Sequence, residues 1–307
     1  MDFRTQLVVL LFIINIVFAP LLISLLGKKG FYKKKSIDTK KGNRAYYNHL
    51  LENMSTPSSF GILLLLNLIV LSLLSHELSY IILLLVPFLL GLLGLYDDIY
   101  QFFFHRVGKH WGLRARYKLL IQVLIFFVAF YLSTSSLLIS LISSFLASFI
   151  LNSYNITDGL DGLVGGISIP VLIFFAYLEY ITFGASNVFF LIVSSLLFVL
   201  VFMIFNIKPA KVFLGDSGSY TIGALIGLLA LRYPLIITIP LLSLFILEGL
   251  SSLLQILSIK IFKRKILTIA PLHLHLLNKG WSQWRVIGTA WALQISITIV
   301  VFFVYGK

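Results

Sequence analysis

Ten apolar stretches, most of them about 17 to 25 residues long, run through the sequence and constrain the fold more than any other feature. A helix of that length crosses the hydrocarbon core of a bilayer and satisfies its own backbone hydrogen bonds. The stretches are 6–26, 59–75, 78–96, 118–133, 136–152, 166–184, 187–206, 218–232, 234–258 and 286–305. The sequence therefore predicts an all-α polytopic membrane protein with about ten transmembrane helices.

The composition agrees with a chain whose solvent is a membrane. Hydrophobic residues make up 59% of the sequence and charged residues only 11%, whereas soluble domains average about half and a quarter. The sequence has no cysteine, so any metal site must use oxygen or imidazole ligands. The first apolar stretch is too long for a signal peptide, and we expect it to remain as the first helix. We predict one integral-membrane domain over residues 1–307.

The distribution of basic residues predicts the orientation of this domain. Of the 24 Lys and Arg residues, 21 fall in loops on one side of the ten predicted helices, and only Arg4, Arg232 and Lys307 belong to the other side. The positive-inside rule then puts the basic loops in the cytoplasm and both termini outside. The net charge of +13 thus reports orientation, and we expect no nucleic-acid partner because the charges form no single stripe. An anionic substrate or a lipid headgroup fits them.

Five of the 11 acidic residues are predicted to converge on the same cytoplasmic face. They are Asp97, Asp98, Asp158, Asp161 and Asp216. Asp97 and Asp98 end the third apolar stretch, where adjacent carboxylates face different directions and can contact different groups. The sequence therefore predicts an active site at the cytoplasmic ends of the helices.

The segment between the fifth and sixth helices has the spacing of a ligand site. Asn155, Asp158 and Asp161 recur every three residues, which would align them on one face of a helical turn. Gly159 and Gly162 permit the close backbone approach that a nucleotide or diphosphate requires. Carboxylate and amide oxygens are hard ligands suited to Mg²⁺, which shares its coordination shell with substrate phosphates.

Two further motifs lie in the last cytoplasmic loops. Phe213-Leu214-Gly215-Asp216 leads into the eighth helix, where free backbone N–H groups can contact a phosphate while the carboxylate holds a cation. His273 and His275, two residues apart, would share one side of an extended segment and could donate to a phosphate or ligate a metal. Glu248, inside the ninth apolar stretch, either lines the substrate cleft or fixes helix packing.

These motifs, in this order along a ten-helix chain, resemble the polyprenyl-phosphate N-acetylhexosamine-1-phosphate transferase family, also called glycosyltransferase 4. The resemblance covers nearly the whole chain. Within the family, the last loop is most similar to the branch that uses UDP-MurNAc-pentapeptide. That similarity rests on Ala270-Pro271-Leu272-His273, Lys279-Gly280-Trp281, Arg285-Val286, Thr56-Pro57 and the stretch from Gly112 to Gln122.

The resemblance implies that undecaprenyl phosphate attacks the β-phosphate of UDP-MurNAc-pentapeptide, giving lipid I and UMP with Mg²⁺ present. It implies a bacterial inner membrane, contact with membrane lipid, and a homodimer. Carried over by motif, Asp216 and Asn155 are the expected metal ligands, and Asp97 and Asp98 would face the lipid phosphate. The other expected catalytic residues are His273 and His275, and the other expected substrate-binding residues are Thr56, Arg116, Asp158, Gly159, Asp161, Phe213 and Gly215. Direct attack is favoured over a covalent intermediate, because a phosphate monoester is mostly dianionic at neutral pH.

Three positions depart from the family pattern. Leu274 replaces the central residue of a triple histidine, and Asn53 and Gln101 stand where lysines are expected, although Arg116 keeps a cation where a lysine is common. Each departure removes a donor or a positive charge that could steady a phosphate. The chain therefore works with fewer contacts, uses a different substrate, or is a weakened paralogue.

Three other functions remain open at this point. A sister transferase would move another UDP-N-acetylhexosamine 1-phosphate, such as that of GlcNAc, to undecaprenyl phosphate. A transporter or lipid flippase would carry charged residues near the middle of the membrane and related halves. A silent scaffold would keep the fold without exchanging UMP.

Overall fold

The computed structural model describes residues 2–32, 55–74, 78–105 and 113–306. Twelve helices occur in these residues, and we number them in chain order. They are α1 (Phe3–Lys29), α2 (Ile62–Leu71), α3 (Leu78–His105), α4 (Ala115–Thr134), α5 (Leu137–Thr157), α6 (Leu163–Phe183), α7 (Asn187–Asn206), α8 (Gly215–Arg232), α9 (Leu235–Leu241), α10 (Ser243–Phe262), α11 (Leu272–Asn278) and α12 (Gln283–Tyr305). The described residues form no strand, and an isolated antiparallel bridge joins Tyr32 to Pro57. The all-helical polytopic fold is confirmed.

Eight of these helices are long and apolar enough to cross a membrane, two fewer than the ten predicted. The second apolar stretch gives a helix of only ten residues, α2. Helix α8 has the length but not the apolar composition, because its first turns are rich in glycine, serine and threonine. The ninth stretch is divided, since α9 ends at Leu241 and α10 begins at Ser243.

The polar composition of α8 follows from its position at the centre of the bundle. Every residue from Gly215 to Ala230 is buried, and the helix packs against α2, α3, α5 and α9. A helix surrounded by other helices needs small residues for close packing rather than a lipid-facing apolar surface. Because α3 and α5 end where α8 begins, the predicted motifs gather on one side of the bundle, which we call the site face.

Two very close backbone approaches fix the start of α8. A Cβ atom added to Gly94 of α3 would lie 2.1 Å from the carbonyl oxygen of Asp216, and one added to Gly61 would lie 2.1 Å from the backbone nitrogen of Gly218. The segment that precedes α2 also pairs with the segment that precedes α8. The Phe213 N–H donates to the Pro57 carbonyl (2.8 Å), and the Gly61 N–H donates to the Leu214 carbonyl (3.0 Å).

A buried carboxylate fixes the other end of α8. Glu179 of α6 has no exposed surface, and it accepts hydrogen bonds from Arg232 Nε (3.0 Å) and from the Ser186 hydroxyl (2.7 Å). The Tyr233 hydroxyl donates to the same carboxylate. Burial, followed by this hydrogen bond, raises the pKa of Tyr233, which keeps its hydroxyl protonated as a donor. The pairing satisfies a charge that would otherwise be costly at this depth.

Both chain ends lie at the end of the bundle away from the site face. Near the start of the chain, Arg4 lies 3.5 Å from Asn187, the first residue of α7. Near the end of the chain, the Gly306 carbonyl accepts a hydrogen bond from Tyr177, close to the end of α6. The site face and the two termini are therefore separated by the length of the helices.

Replacing Gly94 with Ala should destabilise the protein, because the new methyl group would overlap the Asp216 backbone, which cannot move without displacing α8. We expect a loss of about 1–3 kcal/mol or more of stability, measured as a lower Tm in detergent. Gly288→Ala in α12 is the matched control, since nothing lies within 4 Å of its Cβ position. Equal Tm values for the two variants would contradict the close packing of α3 on α8.

Candidate active site

Asp98, near the end of α3, caps the start of α8. Its Oδ1 accepts a hydrogen bond from the Asp216 N–H (3.0 Å), and its Oδ2 accepts from the Ser217 N–H (3.1 Å) and the Ser59 hydroxyl (2.9 Å). The first N–H groups of a helix lack partners within it, and a negative charge there is favourable. Two motifs that are 118 residues apart in the chain are thereby joined into one unit.

A lysine ammonium joins the other two carboxylates of this cluster. Lys118 of α4 pairs with Asp97, and its Nζ lies 3.2 Å from Asp216 Oδ2. Asp97 is fully buried and also accepts from the Leu113 N–H (3.0 Å) and from the Gln101 amide. Gln101 therefore keeps a donor where a lysine was expected, while Lys118 supplies the positive charge.

Asn155 contacts the same cluster from the last turn of α5. Its Oδ1 accepts a hydrogen bond from the Ser219 hydroxyl (2.8 Å), and Ser219 lies three residues after Asp216 in α8. The predicted helical face of Asn155, Asp158 and Asp161 is wrong for Asp161. Helix α5 ends at Thr157 with Asp158 as its C-cap, so Asp161 lies in the following turn.

The turn after α5 is held by backbone hydrogen bonds to other elements. Asp161 is buried, and its Oδ2 accepts from the Ala210 N–H (3.2 Å). Gly162 has a φ of +76°, and its N–H donates to Asn206 Oδ1 (2.8 Å). The Gly162 carbonyl accepts from Trp291 Nε1 (3.1 Å). Because Gly162 adopts a left-handed conformation and both of its backbone groups are hydrogen-bonded, the turn has a defined position on the site face.

The two histidines do not share one side, because α11 makes their segment helical rather than extended. Residues two apart in a helix point about 200° away from each other. His273 is buried, and its Nδ1 lies 3.0 Å from Glu248 Oε2. His275 is half-buried, and its Nδ1 lies 3.0 Å from the Thr268 hydroxyl. Only His273 reaches the turn after α5, where Gly159 faces its ring.

The remaining predicted residues divide between the site face and the surface. Thr56 donates to the Ala210 carbonyl (3.4 Å), and Phe213 and Gly215 form the connection into α8. Arg116 is exposed, stacks on the Tyr117 ring and donates to its hydroxyl. No described contact joins Arg116 to the carboxylates. Asn53 lies outside the described residues.

The donor set fits an ion that shares its ligands with a substrate. In the described part of the chain, no three His, Cys, Asp or Glu side chains are grouped closely enough to hold a metal alone. Mg²⁺ in phosphate chemistry uses one or two protein carboxylates and takes its other ligands from phosphates and water. Asn155 contacts Ser219 of the first turns of α8, and the Ser219 hydroxyl also lies 3.5 Å from the Asp216 backbone carbonyl. The Asn155 amide oxygen and the Asp216 carboxylate therefore both lie at the start of α8.

The predicted site residues omitted three side chains that organise the cluster. Lys118 could have been found, because a charge at the start of an apolar stretch is expensive and often functional. Ser59 and Ser219 gave no signal, since serine is common among closely packed membrane helices. Their roles depend on contacts between segments far apart in the chain.

The sequence is similar to known proteins of one family. Residues 80–233 match the family model described as Glycosyl transferase family 4. A phospho-N-acetylmuramoyl-pentapeptide-transferase of Thermoanaerobacter sp. (strain X514) is 30% identical over an alignment that covers 96% of each chain. The chain belongs to glycosyl transferase family 4. The matched residues of this family contain both the Asp97–Asp98 pair and the α8 motif.

Other relatives carry the same name. The phospho-N-acetylmuramoyl-pentapeptide-transferase of Caldanaerobacter subterraneus subsp. tengcongensis is 34% identical, over 82% of this chain and 85% of the relative. The Clostridioides difficile (strain 630) protein of that name is 29% identical over 92% of each chain. The similarity therefore extends beyond the family model into the last loops, which include α11.

Replacing Asp98 with Asn should destabilise α8, because the amide NH₂ would face one of the donors that the carboxylate now accepts. A buried donor left without a partner costs about 1–3 kcal/mol, and we expect a lower Tm in detergent together with reduced activity. Ser59→Ala is the control, since it removes one donor and leaves both backbone bonds intact. A Tm loss as large for Ser59→Ala as for Asp98→Asn would argue against the capping role.

Proposed function

We propose that the chain transfers phospho-MurNAc-pentapeptide from UDP-MurNAc-pentapeptide to undecaprenyl phosphate, forming lipid I and releasing UMP. The observation that carries the proposal is the cluster of Asp97, Asp98, Lys118 and Asp216 at the start of α8. It lies in a family member whose relatives bear the name of this transferase along nearly their full length. Such a cluster suits phosphoryl transfer, which depends on positioning and charge neutralisation.

Different residues of the site face would orient the helix, hold the metal ion and bind the substrates. Asp98 positions the start of α8, because its oxygens already accept hydrogen bonds from the protein. Asp216 and Asn155 would hold Mg²⁺, which when bound supplies positive charge to the diphosphate of the donor. Lys118 adds an ammonium beside Asp216 that can approach an anionic oxygen. The turn after α5 would receive the nucleotide.

Direct attack needs no covalent intermediate on the protein. An oxygen of the lipid phosphate forms a bond to the β-phosphorus of the donor, the bond from that phosphorus to the bridging oxygen breaks, and UMP leaves. The attacking phosphate is already mostly dianionic at neutral pH, so no base is required. Asp97 accepts from three donors, which are the Gln101 amide, the Leu113 N–H and the Lys118 ammonium, and it thereby holds Lys118 beside Asp216.

Purified protein given undecaprenyl phosphate and UDP-MurNAc-pentapeptide should form lipid I and UMP in the presence of Mg²⁺, and chelation should abolish both products. Lipid products are identified by mass spectrometry, and UMP is measured by chromatography. Parallel reactions with UDP-GlcNAc test the sister transferase. A GlcNAc-phosphate lipid as the sole product would replace the proposed donor. Absence of UMP with every donor would favour the flippase or the silent scaffold.

We also propose that the site face lies in the cytoplasm and both termini outside, in the bacterial inner membrane. The basic loops support this orientation, and the distance between the chain ends and the site face is consistent with it. The homodimer stays a prediction from the family resemblance.

Single-cysteine labelling should establish the orientation, because the sequence contains no cysteine of its own. In intact spheroplasts, an impermeant maleimide should label Ala185→Cys, in the connection between α6 and α7, but not Lys211→Cys, just before α8. Both positions are exposed, and both variants should react after permeabilisation. Labelling of Lys211→Cys in intact spheroplasts would reverse the orientation.

A further inference from the structure

A stripe of polar side chains runs along one face of α10, a mostly apolar helix. Its members are Glu248, Ser251, Gln255 and Ser258. Their spacing of three and four residues keeps them on one side of the helix. All of them bond to the backbone of the segment 264–273, which leads into α11. We call these four residues the polar stripe.

The polar stripe holds that segment along its length. The Ser258 hydroxyl donates to the Arg264 carbonyl (2.8 Å). The Gln255 amide makes a two-sided contact with Leu267, donating to its carbonyl (2.9 Å) and accepting from its N–H (2.9 Å). Each bond satisfies a backbone group that would otherwise be unpaired at the membrane boundary. The position of α11 therefore depends on α10.

Glu248, the first residue of the polar stripe along the chain, contacts His273 in two ways. Its carboxylate accepts from the His273 backbone N–H (3.1 Å) and lies 3.0 Å from Nδ1 of the ring. Glu248 is 8% exposed and His273 only 1% exposed, so little water competes for either contact. The contacts together fix both the backbone of His273 and the rotation of its imidazole.

The other ring nitrogen of His273 has no partner among the residues that the structure describes. Nε2 is buried and makes no hydrogen bond, and a Cβ atom added to Gly159 would lie 2.2 Å from it. A buried polar atom left unpaired costs about 1–3 kcal/mol. The atom points at the turn after α5, where the proposed function expects the nucleotide.

We propose that Glu248 is a positioning residue, which holds the His273 ring so that Nε2 bonds to a polar atom of the bound uridine nucleotide. The inference rests on the proposed function and extends it to a residue in the membrane. When a carboxylate fixes one ring nitrogen of a buried histidine, the other ring nitrogen points in a single direction. Gly159 lies directly against Nε2, where any side chain would overlap the ring, so nucleotide binding must draw this part of the turn away from His273.

The competing role for Glu248 is purely architectural. Its carboxylate accepts from the first turn of α11, so it could serve only to attach that helix to α10. The two roles differ in one respect. If Glu248 acts through the His273 ring, removing the ring should abolish most of the effect of changing Glu248. If it only attaches the helix, the two effects should add.

A double-mutant cycle tests this difference. We expect Glu248→Gln to lower kcat/KM about 10- to 100-fold, the range found for carboxylates that orient metal-bound histidines, which fix an imidazole in the same way. Adding Glu248→Gln to His273→Ala should change kcat/KM by less than about threefold. Ser251→Ala is the matched control, because Ser251 contacts the Leu272 N–H (3.0 Å) but not the ring. Ser251→Ala should retain near wild-type activity, and additive losses in the double variant would overturn the proposal.

A second pair of variants keeps the test valid if Glu248→Gln does not fold. In His273→Gln the amide reaches toward the position of Nε2, whereas in His273→Asn it reaches toward that of Nδ1. We expect His273→Gln to retain more activity than His273→Asn, because Nε2 is the atom that contacts the nucleotide. The opposite order would mean that the bond to Glu248 is the main role of His273.

Binding of UMP, measured by titration calorimetry on the purified full-length chain, separates this inference from the proposed function. We expect His273→Ala and Glu248→Gln each to weaken UMP binding, and the double variant to bind as His273→Ala does. If wild-type protein forms no lipid product but binds UMP with this pattern, the proposed function fails and the inference stands. Unchanged UMP binding in His273→Ala, with lipid I still formed by the wild type, defeats the inference alone.

Discussion

A carboxylate at the end of one buried helix accepts hydrogen bonds from the backbone at the start of another, and the site is assembled around that contact. Asp98 joins α3 to α8 at a depth where neither group could be left without a partner. Small residues allow the close approach, since Gly94 and Gly61 leave no space for a side chain beside α8. Polar pairing and close packing thus depend on each other.

The charges around α8 are balanced within the protein before any substrate arrives. Asp97 and Asp216 would together form a strongly negative pocket, which would repel both a lipid phosphate and a nucleotide diphosphate. Lys118 lies between them and offsets part of that charge. In the proposed function, the lysine would let a site built from carboxylates accept two anionic substrates.

The parts of the fold that were predictable from the sequence are those that depend on local pattern. An apolar stretch has the same meaning wherever it occurs, so the long helices were located, and the acidic motifs were found at helix ends. The exceptions depended on distant partners. Helix α8 was predicted as a membrane span, and its glycine, serine and threonine residues, although typical of close packing, did not show which helices surround it. The end of α5 at Thr157 and the helical form of α11 also differ from their expected shapes.

The site was predictable in its residue types but not in its pairings. Five acidic residues pointed to one face, yet nothing local shows that Asp98 bonds to the backbone of Asp216 or that Lys118 reaches both Asp97 and Asp216. The sequence left two roles open for Glu248, lining the substrate cleft or fixing helix packing. In the structure its carboxylate contacts both the backbone N–H of His273 in α11 and the Nδ1 atom of the His273 ring. Such pairings join residues that are far apart in the chain, so no single stretch of sequence predicts them.

Helix α8 is hydrogen-bonded to a neighbouring helix at each of its two ends. Asp98 accepts a hydrogen bond from the first turn of α8, and Glu179 accepts one from Arg232 in its last turn. The helix between these contacts is about 27 Å long at 1.5 Å per residue. The position of Asp216 along the bundle is thus set from both ends of α8, by Asp98 of α3 and by Glu179 of α6.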